Sequence, residues 1–250
     1  MNYLKLLISI VTFVSILNSL NAQSALDIVK KSDEKMRGTS SYAEMSMKIS
    51  RPDWSREMKM KLWANGVDQS LILITSPKRE QGITFLKDNN EMWNYQPSIS
   101  RVIKMPPSMM MQSWMGSDFT NDDLAKESSV VTDYDHKLLG SEKVENYDCY
   151  IVELIPHEDA PVVWGKVKMW ISKNDFLQLK MEFYDEDSDL VSTMYGTQVK
   201  NLGGKLLPSV YKLIPDDKPE NSTTMTYEAL KFGVTFDKDF FTVMNMKKIH

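Results

Sequence analysis

Apolar and polar residues alternate along most of the chain, a pattern that is typical of β-strands with one covered face. The alternation is clearest at 43–49 and 57–64, and it returns at 166–172 and 177–184. Tight polar turns such as Asn65-Gly66 separate these stretches. The covered positions are methionines and other apolar residues: Met45, Met47, Met58, Met60, Leu62, Met169, Met181 and Phe183.

The turns divide the chain into roughly eleven strands with two helical segments. The first helical segment, 24–37, begins at a possible cap, Ser24, and ends before Gly38. Strands do not alternate with long helices, which argues against a parallel α/β fold. The pattern predicts a mainly β (α+β) fold, in which one curved antiparallel sheet wraps around helices. We expect residues 23–250 to form a single domain.

The stretch 92–124 interrupts the strand pattern. Short strand-like pieces lead to a break at Pro106-Pro107, and a very apolar segment, Met109–Met115, follows it. Methionine-rich surfaces adapt to varied apolar partners, so this segment is predicted to be a lid over an apolar cavity. The alternative is a core plug that never opens. We expect Trp114 at the cavity mouth, where its indole N–H can reach a partner or water.

The lid, the methionine-lined face and one neighbouring aromatic residue supply the candidate ligand-binding residues. They are Met45, Met47, Met58, Met60, Leu62, Trp93, Met109, Met110, Met111, Trp114, Met115, Met169, Met181 and Phe183.

Residues 1–22 have the pattern of a secretory signal peptide: Lys5, an apolar run at 6–17, and Ala22 before the expected cleavage site. The run is too short for a membrane span. No cysteine stands directly after the expected cleavage site, which argues against a lipid-anchored form. We therefore expect a soluble exported protein that begins near Gln23.

Composition excludes several function classes. The net charge is −4, so no basic surplus is available for nucleic acid. The acidic run 120–123 is better explained as a helix cap, with Thr120 and Asp123 forming a capping box, than as a metal site. The chain has three histidines, none in a paired ligand spacing, and Cys149 lies in a strand-like run that predicts a buried thiol. We expect no catalytic residues, no metal and no cofactor.

Several runs of sequence resemble motifs of a known exported family. They are 92–97, the basic strand at Arg101, 115–119 with Asp123-Leu124, 165–171, 177–184, Leu207-Pro208 and Phe240-Phe241. These runs resemble the outer membrane lipoprotein-sorting protein family, which is similar to the periplasmic lipoprotein carrier LolA. The resemblance covers about 25–246. It implies a half-open antiparallel β-barrel of about eleven strands, with helices plugging its concave face around a cavity for acyl chains, in a Gram-negative periplasm.

The predicted function is periplasmic binding and transport of a lipid, lipoprotein or other hydrophobic amphiphile, serving an envelope export system. The expected partners are a lipid or lipid-modified ligand and an inner-membrane exporter or outer-membrane acceptor, with the protein itself a monomer. The alternative is a ligand-sensing regulatory protein of the same fold that controls a partner protein.

Overall fold

The computed structural model describes residues 23–126, 129–160 and 162–249. The expected signal peptide lies outside the described residues. The elements are α1 (Ala25–Arg37), β1 (Ser40–Ser50), β2 (Ser55–Asn65), β3 (Gln69–Ser76), β4 (Thr84–Asp88), β5 (Glu91–Gln96), β6 (Arg101–Lys104), β7 (Tyr134–Val144), β8 (Tyr147–Pro156), β9 (Lys166–Ser172), β10 (Gln178–Tyr184), β11 (Leu190–Leu202), β12 (Lys205–Pro215) and β13 (Ser222–Phe232). Short 3-10 turns lie at Pro97–Ile99, Pro107–Met109, Trp114–Gly116 and Asn245–Lys247, and a π-helical turn at Asp122–Lys126.

The strands form one antiparallel sheet in the order β6-β5-β4-β3-β2-β1-β13-β12-β11-β10-β9-β8-β7. Two meanders, β1–β6 and β7–β13, join where β1 pairs with β13. The sheet is open, with β6 and β7 as its edges. The mainly β, half-open antiparallel fold is confirmed. The expected strand number, about eleven, was too low: thirteen strands pair into the sheet, among them the short basic strand at Arg101 that the sequence indicated.

The sheet is curved, because residues from strands far apart in it line one cavity. Leu62 on β2 and Met169 on β9 line the same cavity, although six strand spacings separate β2 from β9. At about 4.8 Å per spacing, a flat sheet would hold these strands roughly 29 Å apart. The face toward the cavity, which bears both residues, is called the inner face below.

Strand register places methionines side by side on the inner face. Met47 lies opposite Met58 on β2 and Met225 on β13. Met181 on β10 likewise lies opposite Met169 and Met194 on its two neighbours. Cross-strand neighbours on one face contact each other directly, so each triplet forms a continuous apolar strip.

Helix α1 packs across this inner face, against β7 and β9. The Ser24 side chain accepts a hydrogen bond of 3.0 Å from the Asp27 N–H and caps the helix, as predicted. Ile28 and Val29 are fully buried. The helix ends at Gly38, whose φ of 65° and close approach to Phe232 leave no room for a Cβ. None of the helices in the described ranges combines the length and apolarity that crossing a bilayer requires.

The outer face carries separate apolar clusters. The C-terminal segment 233–249 packs on one of them through Phe240, Phe241 and Met246, beside Trp93. Trp93 therefore lies on the opposite side of the sheet from the cavity, and its selection as a cavity residue was wrong. Within β5 it is Met92 that faces inward, because adjacent strand residues point to opposite faces. Cys149 is fully buried in another outer cluster, as expected.

Candidate functional site

A cavity of about 240 Å³ lies on the inner face. The second half of α1, strands β1–β2 and β9–β13 and the segment around the π-helical turn form its walls. Most of the wall is apolar: Met36, Ala43, Leu62, Ala64, Phe119, Leu124, Val130, Val167, Met169, Met181, Phe183, Met194, Met225 and Leu230. Such a surface favours a hydrophobic occupant over water.

The cavity also has a polar wall, formed mainly by residues from α1 and the π-helical turn. Asp33 and Arg37 form an ion pair at 3.2 Å on the last turns of α1. Asp122 and Asp123 lie at the start of the π-helical turn, and both contribute to the lining. The cavity is thus amphipathic, with a polar wall beside an apolar one.

Asp123 is held by three hydrogen bonds. The Thr120 N–H donates to its carboxylate at 2.8 Å, and the Asp123 N–H donates back to the Thr120 hydroxyl at 3.1 Å. This is the predicted capping box, here at a π-helical turn. The Trp164 indole N–H donates to the other carboxylate oxygen at 2.9 Å. Desolvation raises the pKa of Asp123 and outweighs these hydrogen bonds, which lower it. In the described ranges, no group of three or more acidic, histidine or cysteine residues is arranged to hold a metal ion.

The Met109–Met115 segment packs into the inner face instead of standing over the cavity mouth. Trp114 is fully buried, and its ring centroid lies 5.2 Å from that of Phe85 on β4. Met110 is buried as well, and Met111 points outward with 58% of its surface exposed. The prediction that Trp114 lies at the mouth was wrong. Its indole N–H is buried with no acceptor in the described part of the chain.

The segment is not one continuous helix: 3-10 turns lie at Pro107–Met109 and Trp114–Gly116. The Trp114 N–H donates to the Phe119 carbonyl at 2.8 Å, and an isolated bridge joins Ser113 to Thr120. Met115 adopts a left-handed conformation with φ of 51°. The chain from Ser113 to Thr120 is therefore a compact loop that presents Trp114 and Phe119 to the core.

Two arginines fasten this loop to the sheet. Arg51, at the end of β1, donates to both carboxylate oxygens of Asp118 at 3.0 and 2.9 Å. The Thr223 hydroxyl also donates to Asp118 at 2.6 Å. Arg56 on β2 donates to the Met115 carbonyl at 2.6 Å. Bidentate arginine–carboxylate pairs are among the stronger polar contacts in proteins, so the loop is firmly held as a plug in this conformation.

The predicted site residues occupy four kinds of position. Leu62, Met169, Met181 and Phe183 line the cavity. The others on the inner face, in strands or plug, belong to the packed core beside it: Met45, Met47, Met58, Met60, Met109, Met110, Trp114 and Met115. Met111 is exposed, and Trp93 lies on the outer face.

Sequence reasoning missed the polar wall and several lining residues. Met194 lies on β11 and Met225 on β13, and their place beside the cavity follows from their pairing with Met181 and Met47. Asp33 was treated only as a helix residue, although its spacing of four from Arg37 could have indicated the ion pair.

Comparison with protein families gives a match over most of the chain. One family model, whose description reads "-like: Uncharacterized protein", matches residues 66–248. The chain belongs to this family. The comparison with curated proteins finds no match.

Solved structures identify the fold class. The chain is similar to a DUF1329 family protein from Desulfovibrio piger (TM-score 0.80, 24% identity, 89% of this chain and 97% of the other). It is similar to a putative outer membrane lipoprotein-sorting protein domain from Vibrio parahaemolyticus (0.79, 24%, 89% and 98%). A LolA superfamily protein from Nitrosomonas europaea also matches (0.76, 24%, 88% and 97%). These matches confirm the LolA-like fold that the sequence resemblance implied.

Proposed function

We propose that this protein binds a lipid, lipoprotein or other hydrophobic amphiphile in the cavity and carries it across the periplasm. The observation that carries the proposal is the apolar cavity of about 240 Å³ on the inner face of the sheet. An apolar cavity shields an acyl chain from water, and each buried methylene contributes about 0.8 kcal/mol. The LolA-like fold supports the same function, because one structural neighbour is described as a putative lipoprotein-sorting protein domain.

The cavity is smaller than the roughly 300–1,000 Å³ of sites that enclose drug-sized ligands. A long chain therefore either projects from the cavity or displaces flexible wall side chains. Met169, Met181, Met194 and Met225 lie in the wall, and methionine has three rotatable bonds with which to adapt. The polar wall at Asp33, Arg37, Asp122 and Asp123 suits the polar end of the same molecule.

Transfer follows from a near balance of free energies. A bilayer shields an acyl chain about as well as an apolar cavity does, so release is close to neutral. Direction then comes from an inner-membrane donor complex or a tighter outer-membrane acceptor. In this proposal the protein is a soluble periplasmic monomer, residues 1–22 are removed on export, and no catalytic step is needed.

Native mass spectrometry of the protein purified from its own periplasm tests the proposal. We expect a complex whose added mass is that of a lipid, and we expect lipid extraction to remove it. A complex with a stoichiometric protein partner instead would favour the regulatory alternative. Ligand-free protein that also fails to take up phospholipid or fatty acid in vitro would contradict the carrier function.

A further inference from the structure

Three turns meet at one end of the sheet. Strands β1, β3 and β5 run in the same direction, because each antiparallel neighbour reverses the chain. Their following turns, 51–54, 77–83 and 97–100, therefore lie at the same end. The last two turns touch, since a Cβ on Gly82 would lie 3.4 Å from the Pro97 ring.

This turn end, defined by the three turns and the adjoining strand β6, is basic. Lys78, Arg79 and Arg101 are exposed, and they form no ion pair with any other described residue. Lys78 and Arg79 border a cleft that Gln81, Gln96 and Ser98 also line. Positive charges without acidic partners attract anions.

Nearby acidic residues do not cancel this charge. Residues 92–117 contain no aspartate or glutamate, although the whole chain has a net charge of −4. Glu80 is paired with Arg56 at 3.2 Å, and Glu91 with Lys104. Asp53 is the exposed acid in the turn after β1. The turns after β12, β10 and β8 (216–221, 185–189 and 157–159) also place acids at this end, but these three strands lie on the other side of β1 from β3 and β5.

Apolar side chains stand out from the same turns. Trp54 is 51% exposed, with the Arg51 guanidinium 5.7 Å from its ring. Ile99, at the tip of the turn after β5, is 58% exposed. Single exposed apolar residues are common on protein surfaces. A tryptophan and an isoleucine at turn tips, beside unpaired basic residues, have the chemistry of segments that insert into a lipid headgroup region.

We propose that this turn end docks on an anionic lipid membrane, with Lys78, Arg79 and Arg101 near the headgroups and Trp54 and Ile99 inserted between them. The attraction is electrostatic and acts within about 10 Å at moderate salt. The shallow insertion adds apolar contact. Docking is a property of the outer surface and does not depend on whether the cavity holds a ligand. It would, however, bring the carrier to the bilayer from which a lipid is taken or to which it is given.

Vesicle co-sedimentation tests this proposal. The purified protein is mixed with phosphatidylcholine vesicles that either contain or lack phosphatidylglycerol, at low and high salt. We expect sedimentation with the anionic vesicles at low salt, little with the neutral ones, and loss of binding at high salt. Equal binding to both kinds of vesicle, or binding to neither, overturns the proposal.

A charge-reversal pair locates the contact. Lys78→Glu combined with Arg79→Glu is expected to weaken binding to anionic vesicles about thirtyfold or more, from the loss of two basic contacts. The matched control combines Lys137→Glu with Lys143→Glu, two exposed positions on edge strand β7 with the same change in net charge. If the control weakens binding equally, the attraction is only a net-charge effect and the assigned surface is wrong.

A third pair separates docking from cavity binding. Trp54→Ser is expected to weaken vesicle binding several-fold without altering uptake of a hydrophobic probe into the cavity. Ala43→Phe, which places a ring in the cavity, is expected to leave vesicle binding unchanged. If Ala43→Phe abolishes sedimentation while the protein remains folded, the vesicles are held through the cavity and the docking surface is refuted. Thermal unfolding of each variant checks that it is folded.

Discussion

Two regions of one inner face differ in what covers them. In the plugged region, defined by Met58, Phe85, Met110 and Trp114, the loop after β6 fills the space above the sheet. In the cavity region, defined by Met169, Met181, Met194 and Met225, α1 and the π-helical turn leave about 240 Å³ open. Both regions have the same alternating, methionine-rich strands. The open cavity is therefore determined by the covering segments, and the strands alone do not create it.

The largest expected effect is that of removing the plug's central side chain. Trp114→Ala should lower the free energy of unfolding by about 3–5 kcal/mol, as for other large buried aromatics. Its buried indole N–H has no acceptor among the described residues, which should place the loss toward the lower end of that range. Urea unfolding measures it. Met111→Ala, in the same segment but 58% exposed, is the control and should change little. Equal, small losses would show that the plug is open in solution.

The same substitution in the two regions sharpens the comparison. Met58→Ala creates a new void in the fully packed region and should cost about 2–4 kcal/mol. Met194→Ala enlarges a space that already exists. The Met194 side chain has fewer partner atoms to lose there, so we expect a loss of about 1 kcal/mol. Chemical denaturation of both variants decides the point. Equal losses would mean that the cavity is closed in solution.

The next largest loss of stability is expected from breaking the ion pair between Arg51 and Asp118. Arg51→Ala leaves the Asp118 carboxylate, whose side chain is 8% exposed, with Thr223 as its one partner among the described residues. The expected loss is about 2 kcal/mol, below that for a fully buried pair because Arg51 still reaches solvent. The control is Lys30→Ala, which removes the exposed pair with Glu34 on α1 and should have no measurable effect. A loss no larger than the control's would show that Arg51 does not fasten the plug.

A smaller effect concerns pH. The pKa of Asp123 is raised in the folded protein, so the folded state binds this proton more tightly than the unfolded state does. The corresponding stability is present below the ordinary pKa of an aspartate and is lost as pH rises through the raised value. Asp123→Asn should remove this part of the pH dependence. The test is to compare stability against pH for the two proteins. A variant whose profile has the same slope would contradict the assignment.

The sequence predicted which residues face inward but not which of them face open space. Alternation correctly placed Met45, Met47, Met58 and Met60 on the inner face, because that property is local to each strand. Whether space remains above a residue depends on partners far away in the chain. Trp114 is covered because the loop that carries it is held to β1 by a pair whose members are 67 residues apart.

The prediction that Trp93 faces the cavity was wrong for a different reason. It was chosen for its aromatic ring although its position in β5 alternates with the inward Met92. The outer face at β5 is apolar as well, since the C-terminal segment packs on it. The apolar character of residue 93 therefore did not indicate whether its side chain faces the cavity or the outer cluster. The fold class, in contrast, follows from turns and alternation, which are both local.

The central claim is that the open cavity region binds the hydrophobic part of an amphiphile. The most direct measurement is titration of a fluorescent fatty-acid probe into the protein, Ala43→Phe and Ala229→Phe. Ala43 lines the cavity, and Ala229 lies opposite the exposed Glu44 on the outer face. We predict saturable binding to the unmodified protein and to Ala229→Phe, and loss of binding to Ala43→Phe with its fold intact. Unchanged probe affinity in Ala43→Phe would contradict the claim.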